Sequence, residues 1–365
     1  MTRTRRCPIT ATAAAVATVL AGGSATAVPS GGQVVAGQAQ INQQGKTTLI
    51  QQQSQRAILH WQAFGVKAGE LVRFDLPAST AAVLNRVVGA DPSVIAGQLQ
   101  SNGRVFLVNP NGVLVGPGGQ VLTNGFTAST RDLDNATFLR GEALRLTGDS
   151  SAAVINQGSI VAREGDVVLV ARQVENHGQL QAPAGTVALA AAAPGGEVLL
   201  ARDGQDRLLV SIRPPLTSPL TPPPAPGATN PQVQHTGHIE AAAADLRAVG
   251  GNPLALAVQA SGSIRAFSLS GEGGQIRLSG SGRTEVQGTL DASSTTGSGG
   301  TVIVEGRDVA LAGPALIDAS ASVSPSIITV VTGSRKACRS SPARTTPTMP
   351  LRPVRSDAAR GSGPA

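Results

Sequence analysis

The sequence NQGSIVA at residues 156–162 returns twenty residues later as NHGQLQA at residues 176–182. In both copies an Asn and a Gly precede a short run in which apolar and polar residues alternate, a period of two that is typical of a β-strand. A self-similarity with a period of 20 to 26 residues indicates a solenoid. Looser copies follow as TGHIEA at 236–241, SGSIRA at 261–266 and QGTLDA at 287–292, and short apolar runs such as VVLV at 167–170 lie between the copies.

Each repeat has the pattern of a coil made of short strands that are joined by tight turns. Such a coil cannot bury its own apolar side, so successive coils stack and pair their strands in parallel, about 4.8 Å apart. We therefore predict an all-β fold, a parallel β-helix, with inward stacks of Val, Ile, Leu and Ala and a ladder of Asn side chains at equivalent turns. Residues 28–332 would form roughly a dozen coils. The alternative is a Gly-rich β-sandwich, whose turns recur every 8 to 12 residues, about half of the period seen here.

The composition favours stacked coils over an ordinary globular core. Aromatic residues make up only 2% of the 365 residues and Tyr is absent, so the interior must be built from small and β-branched side chains. The formal net charge is +7, but three Arg lie in residues 1–27 and seven basic residues in 333–365. The segment 28–332 then holds 19 basic and 21 acidic side chains. The basic character belongs to the two ends, and we expect no nucleic-acid partner.

Residues 1–27 have the organisation of a secretory signal peptide. An Arg-bearing start precedes an apolar stretch, and an Ala-Thr-Ala site predicts cleavage between Ala27 and Val28. No later segment approaches the ~18 to 20 uncharged apolar residues of a membrane helix. Cys7 and Cys338 are the only cysteines, which excludes disulfides and Cys-based zinc sites within 28–332. We expect an exported, soluble mature chain.

The composition also divides the rest of the chain. Residues 211–232 are too dense in Pro to donate ladder hydrogen bonds, so we predict an excursion or linker between coils in 28–210 and further coils in 233–332. From 333 to 365 the repeat gives way to a basic tail with no period. We predict that this tail is disordered and that a reading-frame change truncated a longer protein. The alternative is a natural disordered basic end.

A distinctive block occupies the N-terminal third, and its pieces come in a recognisable order. They are QQQSQRAILHWQAFGV (51–66), GELVRF (69–74), VLNRV (83–87), DPSVIAG (91–97), NGRVFLVNPNGV (102–113), AST (128–130) and FLRG (138–141). This order resembles the N-terminal secretion domain of filamentous haemagglutinin-type proteins, the exported partners of two-partner secretion systems. The resemblance covers about 30–210, and the later coils continue in the same style.

The resemblance implies a right-handed parallel β-helix with an N-terminal cap. It also implies recognition by a dedicated outer-membrane transporter, reached through the periplasm of a Gram-negative bacterium. The family's Asn-Pro-Asn-Gly motif falls on Asn109, Pro110, Asn111 and Gly112, a tetrapeptide that suits a tight β-turn. The motif acts either in recognition by the transporter or only in setting the fold. A second family motif, Asn-Pro-Asn-Leu, is not present, so its role is not carried over.

The aromatic residues near this end have two interpretations. We predict that Trp61 and Phe64 belong to the cap and the first coil, where an open end needs cover. The alternative is a patch that binds the transporter, and Asn85 and Arg86 are candidates for the same contacts. The whole protein is predicted to be a truncated adhesin-type exoprotein, secreted or held at the cell surface, with host receptors or glycans as possible further partners.

The sequence contains no catalytic or cofactor motif in a fitting context. G-x-G-x-x-G, G-x-S-x-G and H-E-x-x-H are absent, and the four His have no metal-ligand spacing with carboxylates. We expect His235 and His238, beside the Pro-rich segment, to be solvated. No enzyme activity, cofactor or metal site is therefore predicted. The alternative function is that of a secreted β-helix polysaccharide lyase or hydrolase, which would need an acidic cluster with an Arg or Lys base on one face.

Overall fold

The computed structural model describes residues 29–204, 207–215, 231–250, 253–267, 273–294, 299–321 and 326–333. The predicted signal peptide with its cleavage site, the tail after Gly333, and residues 216–230 of the Pro-rich segment lie outside this description. The described residues form 32 strands and one short helix.

In chain order, the strands and the helix are β1 (Gln33–Ala36), β2 (Ala39–Gln44), β3 (Thr47–Gln52), β4 (Arg56–Trp61), β5 (Leu71–Asp75), β6 (Ala82–Val87), β7 (Ser93–Ile95), β8 (Gln98–Ser101), β9 (Arg104–Val108), β10 (Val113–Val115), β11 (Gln120–Thr123), β12 (Gly125–Ser129), β13 (Asp132–Leu133), α1 (Asn135–Arg140), β14 (Leu144–Thr147), β15 (Ala153–Asn156), β16 (Ser159–Ala162), β17 (Val167–Ala171), β18 (Gln173–Asn176), β19 (Gln179–Ala192), β20 (Glu197–Arg202), β21 (Leu208–Arg213), β22 (Val233–His235), β23 (His238–Val249), β24 (Leu256–Ala260), β25 (Ser263–Ala266), β26 (Gln275–Gly280), β27 (Arg283–Val286), β28 (Thr289–Asp291), β29 (Thr301–Gly306), β30 (Asp308–Leu311), β31 (Leu316–Asp318) and β32 (Ile327–Thr332).

Three parallel sheets form the faces of a solenoid, and most coils add one strand to each sheet in turn. Sheet 1 stacks β3, β5, β8, β11, β16, the first part of β19, the first part of β23, β25, β28 and β31. Sheet 2 stacks β4, β6, β9, β12, β17, the second parts of β19 and β23, β26, β29 and β32. Sheet 3 stacks β7, β10, β15, β18, β22, β24, β27 and β30.

The predicted parallel β-helix is therefore confirmed. The described residues make ten coils rather than roughly a dozen, because β13, β14, α1, β20 and β21 leave the solenoid and form a separate layer.

Aliphatic stacks fill the interior of the solenoid. In sheet 1 the strand register places Leu99, Val121, Ile160, Leu180 and Ile239 above one another, and none of them is more than 1% exposed. Burying one such side chain stabilises a fold by about 1.5–3 kcal/mol. Repetition of medium-sized aliphatic residues thus supplies the core of a chain that has few aromatics.

A second layer covers the outer surface of sheet 2. Its antiparallel sheet has the strand order β13, β14, β20, β21, and α1 lies beside it. Phe138 of α1, Leu146 of β14 and Val198 of β20 are fully buried in a cluster that includes Val168 and Ala190 of sheet 2. Nothing in the sequence pattern predicts this layer. Its strands β14 and β20 pair over more than fifty residues, which is longer than the repeat of 20 to 26 residues.

Arg131 fastens this layer to the solenoid. Its side chain is 1% exposed, and its two terminal nitrogens donate to four backbone carbonyls. Two of the acceptors, Ala192 (2.6 Å) and Ala193 (2.8 Å), lie at the end of β19, whereas Gly148 and Gly196, both at 2.7 Å, lie in the layer. Burial lowers the pKa of Arg131, an effect that the charge of Asp149 opposes. The guanidinium group stays paired because each acceptor is a fixed backbone oxygen.

The N-terminal end of the solenoid carries the predicted cap. β2 pairs antiparallel with β3, and β1 pairs antiparallel with β4, so the first coil does not present open strand edges to solvent at this end. Gly32 lies directly on the Trp61 ring, where a Cβ atom would come within 2.4 Å of a ring carbon. Trp61 is fully buried and Phe64 is 1% exposed, as core positions under a cap require.

The predicted Asn ladder is present at the ends of the strands of sheet 3. Asn156, Asn176 and His235 occupy consecutive positions in the stack and are all fully buried. The Nδ2 of Asn156 donates to Oδ1 of Asn176 (2.7 Å), and the Nδ2 of Asn176 lies 3.0 Å from Nδ1 of His235. On the other side, Nε2 of His235 lies 3.2 Å from the carbonyl of Ser263 and donates to it.

The expectation that His235 is solvated is therefore wrong. Its ring continues the Asn ladder, and both of its nitrogens are used by neighbouring coils. Burial lowers the pKa of His235 to about 4; the Ser263 hydrogen bond opposes this shift, and the charges of His238 and His177 add to it. The ladder thus requires the neutral ring, since Nδ1 must accept a hydrogen bond from Nδ2 of Asn176. His238, by contrast, is partly exposed and contacts the hydroxyl of Ser263 at 2.7 Å.

Replacing Arg131 by Met should loosen the second layer more than the solenoid. We expect Arg131→Met to lower the free energy of unfolding by roughly 3 kcal/mol, because buried hydrogen bonds from a charged donor are lost. Hydrogen exchange followed by mass spectrometry should show faster exchange in β20 and β21, with β28 unchanged. Arg145→Met is the matched control, since Arg145 lies on β14 with 55% of its side chain exposed. Equal exchange in β20 for both variants would contradict the assigned role.

The buried His235 should make stability depend on pH. The pKa is about 4 in the folded chain and ordinarily 6.5, so the unfolded chain binds the proton first as the pH falls. The stabilising contribution is complete above pH 6.5 and is lost between pH 6.5 and pH 4, by about 3 kcal/mol in total. Urea unfolding of wild type and His235→Asn from pH 4 to pH 8 measures it. The difference between the two should shrink toward acid pH, whereas His238→Asn keeps the buried His235 ring and should therefore lose stability toward acid pH, as the wild type does.

Candidate functional site

The 109–112 turn joins sheet 2 to sheet 3 between β9 and β10. The amide of Gly112 donates to the carbonyl of Asn109 (3.0 Å), which closes a β-turn of these four residues. Gly112 has a φ of +110°, a backbone conformation that other residues rarely adopt. The tetrapeptide is a tight turn, and its positive φ is at the glycine in the fourth position rather than at Asn111 in the third.

Asn109 is the buried anchor of this turn. It is fully buried, and its Nδ2 donates to the carbonyl of Asp91 (3.0 Å) and to Oγ of Ser93 (2.9 Å) in the preceding coil. Its Oδ1 accepts from the backbone amide of Asn111 (2.9 Å). The amide group thus uses both its donors and its acceptor, which neither Asp nor Ala could reproduce.

The other half of the turn is on the surface. Pro110 and Asn111 are both exposed, and Nδ2 of Asn111 donates to the carbonyl of Gly89 (2.9 Å). The exposed segment around Gly89 therefore adjoins the turn. We call this surface the turn patch, and it consists of Val88, Ala90, Asp91, Pro92, Pro110 and Asn111. Within it, Val88 is 49% exposed and supplies apolar surface.

Trp61, Phe64 and Asn85 lie inside the solenoid. The rings of Trp61 and Phe64 meet edge to face, with centroids 5.6 Å apart. Nε1 of Trp61 donates to Oδ1 of Asn85 (2.9 Å), and Nδ2 of Asn85 reaches the carbonyl of Phe106 (3.3 Å). These contacts connect β4, β6 and β9, three consecutive strands of sheet 2. None of the three side chains is accessible in the folded domain.

Arg86 lies on the outer surface of sheet 2, where only 13% of its side chain is exposed. It forms an ion pair with Asp132 (2.8 Å) and donates to the carbonyl of Leu133 (2.9 Å). His60, its neighbour on β4, lies 3.1 Å away through Nε2. Burial and the charge of Arg86 lower the pKa of His60, and Asp132 opposes this shift. Arg86 thus holds β13 of the second layer against sheet 2.

The structure brings some predicted site residues together and separates others. Trp61 and Asn85 are hydrogen-bonded, whereas the 109–112 turn contacts neither of them and is bonded instead to residues 89–93. Sequence reasoning missed Asp91 and Ser93 as partners of Asn109. The DPSVIAG piece that contains them gives no sign in the sequence that it binds Asn109. It provides only a backbone carbonyl, from Asp91, and one hydroxyl group, from Ser93.

Metal and membrane features are not found in the described part of the chain. No group of three or more His, Cys, Asp or Glu side chains is arranged there to hold a metal ion. No helix described is both long and apolar enough to cross a bilayer.

Comparison with known proteins places these features in a family. Residues 25–323 match the family described as the TPS secretion domain, TPS standing for two-partner secretion. The crystal structure of the HMW1 secretion domain from Haemophilus influenzae superposes with a TM-score of 0.67 at 28% identity, covering 82% of this chain and 76% of that one.

Two curated relatives come from the same species. A Heme/hemopexin-binding protein of Haemophilus influenzae is 32% identical over 167 residues, which cover 44% of this chain and 18% of that protein. Another protein of this name is 39% identical over 85 residues, 23% of this chain and 9% of that protein. The chain spans less than a fifth of the length of these relatives.

The matched residues extend from the segment before the cap to the coils near the end of the described chain. The family resemblance seen in the N-terminal block is thereby confirmed. The chain belongs to the TPS secretion domain family, whose members are exoproteins that a partner transporter secretes across the outer membrane of Gram-negative bacteria.

Proposed function

We propose that this chain is the secretion-directing part of an adhesin-type exoprotein. We assign residues 28–210 to the part that directs secretion, 211–232 to an excursion or linker, and 233–332 to further coils. The interior is one continuous apolar cluster from Ile50 to Ala319. The cap, the 109–112 turn and the second layer, whose last strand β21 ends at Arg213, all precede residues 233–332. These three features are not part of the repeat, so a transporter that binds them can distinguish this part of the chain from the ordinary coils.

The main support for a contact with the transporter is that the 109–112 turn has a buried half and an exposed half. Asn109 and Gly112 are buried and satisfy the local fold, whereas Pro110 and Asn111 face solvent beside Val88. The exposed half also holds Gly89 through Asn111, but it leaves the side chain of Pro110 on the surface, where a partner can contact it. We assign recognition by the transporter to the turn patch, which offers apolar surface with a single carboxylate, that of Asp91.

The same reasoning assigns Trp61, Phe64 and Asn85 to the cap and the first coils. They are buried, so a transporter could contact them only while the chain is still unfolded. Arg86 acts within the domain through its ion pair with Asp132. Secretion through a pore requires an extended chain, and folding outside the cell would then oppose its return.

The partners of the secreted protein are proposed more broadly, as host receptors or glycans. The curated relatives are named for binding heme and hemopexin, but the chain spans only 18% and 9% of their lengths, so that binding is not transferred. The matched family and the relatives reported give no support to the polysaccharide lyase alternative.

Two substitutions in the 109–112 turn separate recognition from folding. Pro110→Ser changes an exposed side chain, and we expect at least a tenfold fall in secretion with a nearly unchanged unfolding midpoint. Asn109→Ala removes buried hydrogen bonds and should lower the free energy of unfolding by about 1–3 kcal/mol. The ratio of secreted to periplasmic protein, measured in cells that make the partner transporter, reports secretion. The emission of Trp61, the single tryptophan, reports folding of the cap.

Pro117→Ser is the matched control, since Pro117 is an exposed proline in the turn that follows β10, outside the turn patch. It should leave both secretion and stability at the wild-type level. If Pro110→Ser is secreted as well as Pro117→Ser while Asn109→Ala is retained, the turn acts only in folding and the proposed recognition is wrong.

A further inference from the structure

A cleft of about 310 Å³ lies between the outer surface of sheet 2 and the second layer. One wall is formed by the beginnings of the strands β4, β6, β9 and β12, and the other by the Gly141 turn after α1 and by β14, β20 and β21. Its apolar lining consists of Phe106, Leu144, Val168, Leu200 and Leu208. The cleft is separate from the turn patch and has no part in the proposed transporter contact.

The strand register puts two arginines on the sheet 2 wall with small residues between and beside them. Arg56 pairs with Ala82, Ala82 pairs with Arg104, and Arg104 pairs with Gly125. Since neighbouring strands are about 4.8 Å apart, the two arginine Cα atoms are about 10 Å apart along the stack. Along the stack, each arginine is therefore followed by a small residue, Ala82 or Gly125. The small residue between the two arginines leaves room for a ligand between their guanidinium groups.

The carboxylates of the cleft already have partners. Asp166 forms an ion pair with Arg202 (2.7 Å) and accepts from the amide of Thr186 (2.9 Å). Glu142 is bound to Arg140 at 2.6 Å. Among the residues that the structure describes, no carboxylate forms an ion pair with Arg56 or Arg104.

The guanidinium group of Arg56 is held in place. It lies over the Phe138 ring, 5.4 Å from the ring centroid, and against the backbone of Gly141. Both Arg56 and Arg104 are half-buried. Burial lowers the pKa of Arg56, and the charge of Arg104 lowers it further. Two half-buried cations beside apolar surface, neither of them in an ion pair with a carboxylate of the described residues, form an environment that an anionic ligand stabilises.

We propose that this cleft binds a small organic anion, with a carboxylate between Arg56 and Arg104 and an aliphatic body on Phe106, Val168 and Leu200. The cleft volume of about 310 Å³ is at the lower end of the range of about 300–1,000 Å³ that small-molecule sites have, which favours a small ligand. Octanoate is a small anion of this kind and serves as the probe. A guanidinium group binds a carboxylate through two parallel hydrogen bonds, so the arginines fix the polar end and the apolar lining selects the chain.

Isothermal titration of the full-length protein tests the proposal with three compounds. Octanoate should bind at least tenfold more tightly than 1-octanol, which lacks the charge, and than acetate, which lacks the aliphatic body. Raising the salt concentration from 50 mM to 500 mM should weaken octanoate binding, because the partly exposed arginines are screened. These comparisons use the unaltered chain, so they do not depend on whether a variant folds.

Arg104→Gln should weaken octanoate binding about tenfold and leave octanol binding unchanged, since one charge-assisted contact is lost. Arg73→Gln is the control, because Arg73 lies on sheet 1 with 56% of its side chain exposed and is paired with Asp75. Trp61 emission and circular dichroism confirm that both variants fold. The proposal is overturned if octanoate and octanol bind equally, if millimolar octanoate does not bind, or if folded Arg104→Gln binds octanoate as the wild type does.

Discussion

The parallel pairing of each coil with the next is the constraint on which the rest of this structure depends. A residue in a coil has its counterpart about 4.8 Å above and below, so a side chain must fit against the side chain at the same position in the neighbouring coil. Aliphatic residues of similar size satisfy this requirement repeatedly, as the stack through Ile160, Leu180 and Ile239 shows. Large rings fit this requirement less readily, and four of the seven aromatic residues lie at the cap or under the second layer: Trp61, Phe64, Phe106 and Phe138.

The corners of the coils obey the same constraint more strictly. A Cβ atom on Gly178 would lie 2.1 Å from the carbonyl oxygen of Gly158, and one on Gly237 would lie 2.1 Å from that of Gly178. The backbone turns are thus in direct contact from coil to coil, and the glycine of the NQG and NHG repeats is required by this approach. The polar residue two positions earlier is buried by the same packing, so it must find its partners in the adjacent coils, as Asn156 and Asn176 do.

This periodicity decides what could be predicted from the sequence. The fold and the Asn ladder follow from residues that recur at a fixed interval, whereas the cap was predicted from the family resemblance and from the aromatic residues of the N-terminal block. His235 could have been found in the same way, because His235-Thr236-Gly237 stands where Asn156-Gln157-Gly158 and Asn176-His177-Gly178 stand. Its position beside a Pro-rich segment was a weaker guide than its position in the repeat.

The second layer and the role of Arg131 could not be predicted, because they depend on pairings that occur once. β14 pairs with β20 across more than fifty residues, and Arg131 reaches acceptors as far away in sequence as Gly196. In the sequence, Arg131 is an ordinary basic residue next to Asp132. The candidate site was predictable only in part. The turn at 109–112 follows from its residue types. The burial of Asn109 against Asp91 and Ser93 could not be predicted, because it depends on how two coils stack.

The order in which such a chain can fold follows from where its non-repeating contacts lie. An extended chain has no register, and a new coil gains burial only by stacking on one that is already formed. The buried links from Trp61 to Asn85 and from Asn85 to Phe106 join three successive strands of sheet 2, directly beneath the cap. The N-terminal end therefore contains both a closed edge and a fixed register. Wherever no excursion intervenes, each later coil pairs with a neighbour only 20 to 32 residues away in sequence. A chain that leaves a pore with this end first can form its template before the remaining coils have emerged.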